Sequence, residues 1–119
     1  MEKIEINFKE GTINFWIPEG EIDYGDNRYV KIFDYEKKEG YIKIQKEKDN
    51  GLKVYYFYKG SGKCFLNTNV DNLDKKKRHM VTLTWSLSNG KVQLYIDAQL
   101  KNEGEIDVIP PQFSEIFAE

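Results

Sequence analysis

Acidic residues at alternating positions are the first candidates for chemistry in this chain. A Glu and an Asp stand two apart in Glu21-Ile22-Asp23-Tyr24-Gly25-Asp26 and again in Glu105-Ile106-Asp107-Val108-Ile109-Pro110. On a strand, residues i, i+2 and i+4 share a face, which would align such carboxylates. Retaining glycoside hydrolysis uses two carboxyl groups about 5 to 5.5 Å apart, one as nucleophile and one as acid/base. Neither copy completes a set. The first ends in Asp26 within a stretch rich in Gly, Asp and Asn, and the second runs into Pro110. Both read as accidental pairs, and no enzyme activity is expected.

His79 is the single histidine and Cys64 the single cysteine. One of each does not supply the four ligands of a structural zinc site. A nucleophilic triad needs a Ser or Cys placed beside the imidazole, and no triad-like position offers one. His79, Met80 and Cys64 therefore read as strand and packing residues. With one cysteine, no internal disulfide can form. Calcium needs only oxygens, and Asp23, Asp26 and Asn27 could supply them, but their spacing follows no ordered ligand pattern. No cofactor is expected, with calcium the one ion left open.

The remaining chemistry is aromatic. If Ile13, Phe15 and Ile17 face the core, strand parity sends Trp16 to the opposite surface. The same parity puts Tyr55, Phe57 and Tyr95 on outer faces, with Asn14, Thr82, Thr84 and Gln93 as polar company. Sugar rings stack their C–H faces on aromatics and hydrogen-bond to such neighbours. Trp16, Asn14, Tyr55, Tyr95 and Gln93 are thus the candidate ligand-binding residues, expected on one partly open platform. Packing against a loop or another subunit is the competing use of the same rings.

The elements that must carry these residues are strands. Ile4, Ile6 and Phe8 alternate with polar residues; Ile13, Phe15 and Ile17 do so again before Pro18. A loop rich in Gly, Asp and Asn fills residues 19–28. Val30 with Ile32, then Ile42 with Ile44, mark short strands, and Asp49-Asn50-Gly51 makes a turn that tolerates positive φ. Leu52, Val54, Tyr56 and Tyr58 share one face of the next strand. His79, Val81, Leu83 and Trp85 form one face of the clearest hairpin, and Val92, Leu94 and Ile96 the other arm. Asn89-Gly90 between them is a strong turn signal. Ile13, Phe15, Val54, Val81, Leu83, Trp85, Leu94 and Ile96 are the predicted core. Glu105 to Ile109 is the last candidate strand, and Gln112 to Ala118 could form a short helix capped by Ser114. Eight or nine short strands with regular turns predict an all-β sandwich or barrel.

Bulk composition narrows the class. At 119 residues the chain is one domain, 1–119, long enough to bury a core without staples. Eighteen Lys and Arg against twenty Asp and Glu give a net charge of -2, so nothing favours nucleic acid, which selects a basic face. The run Asp74 to Arg78 reads as a solvated turn. No apolar leader follows Met1, and no window approaches the roughly 18 apolar residues of a membrane span, so no membrane insertion is expected. A secreted origin would require a leader already removed or a domain cut from a longer chain.

The stretch RHMVTLTWSLSNGKVQLYIDAQL, Arg78 to Leu100, resembles the paired strands of concanavalin A-like and laminin-G-like lectin domains. GTINFWIP, Gly11 to Pro18, is similar to their Phe-Thr-Ile-Glu-Phe-Trp-Val strand, and GYIKI with GLKVYYF fits the intervening hairpin. The likeness covers roughly Ile13 to Leu100 and implies a two-sheet antiparallel jelly-roll sandwich. It also implies a non-catalytic carbohydrate-binding or adhesion module, and many members bind calcium. A structural or protein-interaction domain is the alternative, and an incomplete glucanase-like domain the third. Three features depart from the pattern. Arg78 stands where Trp is usual, Ala98 replaces the Gly of an Asp-Gly turn, and the chain is short. A trimmed sandwich edge would expose unpaired strand groups to a partner chain, so the expected partner is a glycan or a protein, with homo-oligomers formed through that edge.

Overall fold

A computed structural model describes residues 5–108. Among them there is no helix, and nine strands build two antiparallel sheets: β1 (Glu10–Ile17), β2 (Val30–Lys37), β3 (Gly40–Lys46), β4 (Gly51–Tyr58), β5 (Gly62–Asn69), β6 (His79–Ser86), β7 (Lys91–Ile96), β8 (Gln99–Glu105) and β9 (Asp107–Val108). One sheet has the order β1-β6-β7-β8 and the other β2-β3-β4-β5-β9. The all-β sandwich expected from the alternation is the observed architecture. No helix here is long and apolar enough to cross a membrane. The expected helix over Gln112–Ala118 lies outside the described residues.

Period-two alternation builds the core directly. Inward positions of β3, β4, β6 and β7 are buried and their neighbours are not, so Ile42, Ile44, Val54, Val81, Leu83, Trp85, Leu94 and Ile96 meet between the sheets. Ile13 and Phe15 point the same way but stay half-buried. They belong to β1, at the edge of its sheet, and on that flank they meet β2, the edge of the other, with Phe15 stacked on Phe33 at 6.0 Å. An edge strand has core on one side only, so the same alternation buries less there.

Three local expectations need correction. Residues 5–7 form no strand, and Ile4 lies outside the described residues. Phe8 is nevertheless buried, and the Asn7 carbonyl accepts the Trp85 indole N–H at 2.7 Å. The last candidate strand, Glu105 to Ile109, is divided: Glu105 ends β8 in one sheet, Ile106 crosses over, and Asp107–Val108 pair with β5 in the other. β8 itself was not anticipated. Its inward positions hold Asn102 and Gly104, and a Cβ on Gly104 would lie 2.8 Å from Leu66 Cδ2 and 3.0 Å from Cys64 Sγ. The opposing sheet comes so close that smallness, not hydrophobicity, is selected there.

Candidate ligand-binding site

The outer face of the four-stranded sheet is polar and ordered in rows by strand register. One row runs Thr12, Thr84, Gln93, Glu103; the next runs Asn14, Thr82, Tyr95, Leu100. In the first, the Thr84 hydroxyl donates to Gln93 Oε1 at 3.4 Å, and Gln93 Nε2 donates to Glu103 Oε1 at 3.0 Å. In the second, the Thr82 hydroxyl donates to Asn14 Oδ1 at 2.8 Å. These bonds hold the side chains in set orientations before any ligand arrives.

The rows border a cleft of about 470 Å³ lined by Thr12, Thr84, Ser86, Gln93, Tyr95 and the β1 glycine, Gly11. Gly11 shapes its floor: a Cβ there would lie 2.5 Å from Trp85 Cζ2, so only glycine lets the indole pass beneath β1. Glu10 and Lys91 stand at its rim. The cleft therefore offers hydroxyl, amide and carboxylate groups beside the ring of Tyr95.

Four of the five sequence-predicted site residues share this face: Asn14, Gln93, Tyr95 and Trp16. Trp16 is 49% exposed, as parity required, but it stands one outward row beyond Asn14, and β6 separates it from β7. It lies roughly 12 Å from Tyr95 by strand spacing. The Arg78 guanidinium sits 4.2 Å from the centre of its ring. Tyr55 is not on this face. It points outward from β4, in the other sheet, where its hydroxyl donates to Glu47 at 3.0 Å. Burial, followed by that hydrogen bond and the Glu47 charge, holds the Tyr55 hydroxyl above its ordinary pKa. The single platform expected for Trp16, Tyr55 and Tyr95 is therefore divided between opposite sides of the sandwich. Parity tells inward from outward; it does not tell which sheet a strand joins.

Glu103 and Thr84 complete the ladder and were not among the candidates. Thr84 was visible as an outward polar neighbour. Glu103 had no signal, because the strand that carries it had none.

The acidic stretches are occupied otherwise. Asp26 receives the ammonium of Lys46 at 2.7 Å, and the hydrogen bond from Lys46 is the first cause holding its carboxyl below the usual range. Lys46 is fully buried and also donates to the Arg28 carbonyl at 2.6 Å and to Asn50 Oδ1 at 3.4 Å. Of the three residues considered for calcium, only Asp26 faces this internal cation; Asp23 accepts from the Gly25 N–H at 3.1 Å and pairs with Lys75 at 3.3 Å, and the Asn27 amide nitrogen donates to the Lys48 carbonyl at 3.0 Å. Glu105 stands opposite Lys91, and Asp107 opposite Lys63, on strands of different sheets. Among the described residues, no three His, Cys, Asp or Glu side chains gather as a metal site. Cys64 is buried, and burial, then the charge of Asp107, pushes its thiol up to about 11.

Compared with protein-family models and with curated proteins, the chain matches none.

Proposed function

We propose that this protein is a non-catalytic carbohydrate-binding module whose site is the cleft on the outer face of the four-stranded sheet. The observation that carries this reading is the hydrogen-bonded chain Thr84–Gln93–Glu103 beside the ring of Tyr95. A sugar presents an apolar C–H face and a rim of hydroxyls, so it needs a ring to lie on and fixed polar partners at the ring's edge. Tyr95 offers the first, and Gln93, Glu103 and Asn14 the second. The resemblance of strand order and turn chemistry to lectin domains favours the same reading, as fold-level analogy.

A glycan array identifies the ligand, and titration calorimetry with the soluble oligosaccharide then measures it. Tyr95→Ala and Gln93→Ala should each weaken binding about tenfold or more, while Phe65→Ala on the opposite sheet should not. An array without binders, or binding indifferent to both cleft substitutions, would overturn the proposal.

A further inference from the structure

Among the described residues the two sheets have four marginal strands, β1 and β8 in one and β2 and β9 in the other. A margin presents unpaired N–H and C=O groups to any passing strand, so natural sheets guard it with charges, bulges or shortness. β2 slips register between Lys31 and Phe33 and carries Lys31, Asp34, Glu36 and Lys37. β8 slips where it passes Leu94 and Tyr95 of β7, and it carries Lys101, Glu103 and Glu105. β9 has only two residues. β1 has none of these guards. It pairs with β6 over all eight residues without a slip, and its Gly11–Ile17 stretch holds no charge.

Side chains along this margin are also short of partners. Ile13 and Phe15 point inward yet stay half-buried, and Trp16 on the outer side is 49% exposed. Just beyond the uncharged stretch, Glu10 and Arg78 are exposed, and neither forms an ion pair among the described residues.

We propose that β1 pairs antiparallel with β1 of a second copy of the chain, joining the two four-stranded sheets into one of eight. The two-fold axis stands perpendicular to the sheet at Asn14. Side chains alternate, so only a register that pairs odd residues with odd ones keeps inward groups opposite inward groups. The register centred on Asn14 pairs the whole uncharged stretch. Gly11 meets Ile17 of the partner subunit, Thr12 meets Trp16 of the partner subunit, and Ile13 meets Phe15 of the partner subunit. Each contact occurs twice, as an isologous interface requires. The half-buried Ile13 and Phe15 thereby gain apolar cover. On the outer side, Glu10 of the partner subunit becomes the diagonal neighbour of Trp16, where the Arg78 guanidinium already lies 4.2 Å from the ring centre. An acid and a cation thus meet at both ends of a neutral strand, which selects a second copy over an unrelated strand. A single strand pair buries less than the roughly 800 Å² per partner of stable complexes, so the dimer is reversible and concentration-dependent.

Asn14 meets its own copy on the axis, so one position tests the contact. Sedimentation equilibrium from micromolar to millimolar protein should show the wild type dimerising. Asn14→Lys and Asn14→Asp should each weaken the dimer about tenfold or more, by setting like charges opposite one another, and mixing the two variants should restore it. Asn14 is exposed, and melting curves establish that the variants fold. Asn14→Cys gives a second readout, because opposed residues of an antiparallel pair have Cα atoms about 4.5 to 5.5 Å apart, within the reach of a disulfide. Mild oxidation should link Asn14→Cys subunits quickly and Thr12→Cys subunits poorly, since the register sets those two thiols about 13 Å apart. The native thiol, Cys64, is buried with its pKa pushed up to about 11 and does not compete. A wild type that stays monomeric at millimolar concentration overturns the proposal. So does a mixture as weak as the single variants, a dimer indifferent to both charges, or a Thr12→Cys variant that links as fast as Asn14→Cys.

Discussion

His79 Nδ1 lies 2.7 Å from Asp97 Oδ2, while its Nε2 lies 2.7 Å from the Asp74 carbonyl oxygen. Both partners only accept, so the doubly protonated imidazolium is the form of the ring that satisfies both contacts. Burial pulls its pKa down, but the hydrogen bonds and charges of Asp97 and Asp74 outweigh it and hold the pKa above the ordinary value. The Asp97 carboxyl is disfavoured by burial yet ends below its usual range, through His79 and the Met80 N–H. The edge of Tyr24 packs on the same ring at 5.4 Å, and burial, then the Asp97 charge, pushes its hydroxyl up to about 12. One ion pair thus ties the β7–β8 turn, the charged run and the 18–29 loop to the start of β6.

This arrangement predicts a bell-shaped dependence of stability on pH. A group with a raised folded pKa stabilises fully below its ordinary value, near 6.5 for His, and stops doing so as pH rises through the folded one. Asp97 behaves oppositely: its contribution is present above about 3.9 and is lost as pH falls through its lowered folded value. The melting temperature should therefore be highest near pH 5 to 6 and fall on either side. His79→Gln should remove the alkaline limb. A flat profile from pH 6 to 9 in the wild type would show that the ring is neutral.

The turn that carries Asp97 predicts a stabilising change. Asp97 and Ala98 have φ of 53° and 67°, the left-handed pair of a two-residue hairpin. For an L-residue with a Cβ that region costs roughly 1–2 kcal/mol, partly offset in glycine by the larger entropy of its unfolded chain. Ala98→Gly should add about 0.5–1 kcal/mol in urea unfolding. Asp97→Gly, which relaxes the same turn but removes the partner of His79, should destabilise.

In the core, Leu83 is fully buried at the centre of β6. Leu83→Ala should cost about 2–5 kcal/mol, from lost transfer energy and the cavity left behind. Denaturant titration measures it, and a change below about 0.5 kcal/mol would mean that the strand faces the other way.

How much of this was legible follows from where side chains meet. Strands buried on one face announce themselves, because every second residue must be apolar; β3, β4, β6 and β7 were read in that way. β8 was not, since Asn102 and Gly104 fill its inward positions and a close-packed neighbour selects for size. Lys46 was invisible for a related reason: an inward lysine breaks the alternation, and its justification lies 20 residues earlier, in Asp26. The outward direction of Trp16, Tyr55 and Tyr95 was legible, but their grouping depended on how the strands divide between the sheets. Four of five candidates fell together because β1, β6 and β7 happen to be neighbours.

Lys46 also yields a prediction about ions. Its ammonium fills a nest of Asp26, Arg28 and Asn50 oxygens that joins the 18–29 loop to the β3–β4 turn. Calcium should therefore leave the melting temperature of the wild type unchanged. Lys46→Met keeps most of the buried stem but removes the charge that three oxygens face, and should lower the melting temperature substantially. A calcium-dependent rise in the wild type would show that the loop admits a second cation.

Trp16 and Arg78 give the last prediction, which separates short from long ligands. The guanidinium lies 4.2 Å from the ring centre, so one face of an otherwise open indole is already covered. The Asn14–Thr82 pair lies between Tyr95 and Trp16, so a sugar chain leaving the cleft over that row reaches the indole next. To stack there it must displace Arg78, which costs about 0.5–1 kcal/mol for an exposed cation–π pair. Arg78→Ala should then tighten long oligosaccharides about two- to fivefold and leave the shortest binders unchanged. Trp16→Ala should weaken only the long ones and barely move the melting temperature, since the ring is half exposed at an edge strand. Calorimetry across a series of chain lengths reads both effects. If Trp16→Ala weakens short and long ligands alike, the binding centre is at β1 rather than at Tyr95, and the cleft is the wrong half of the face.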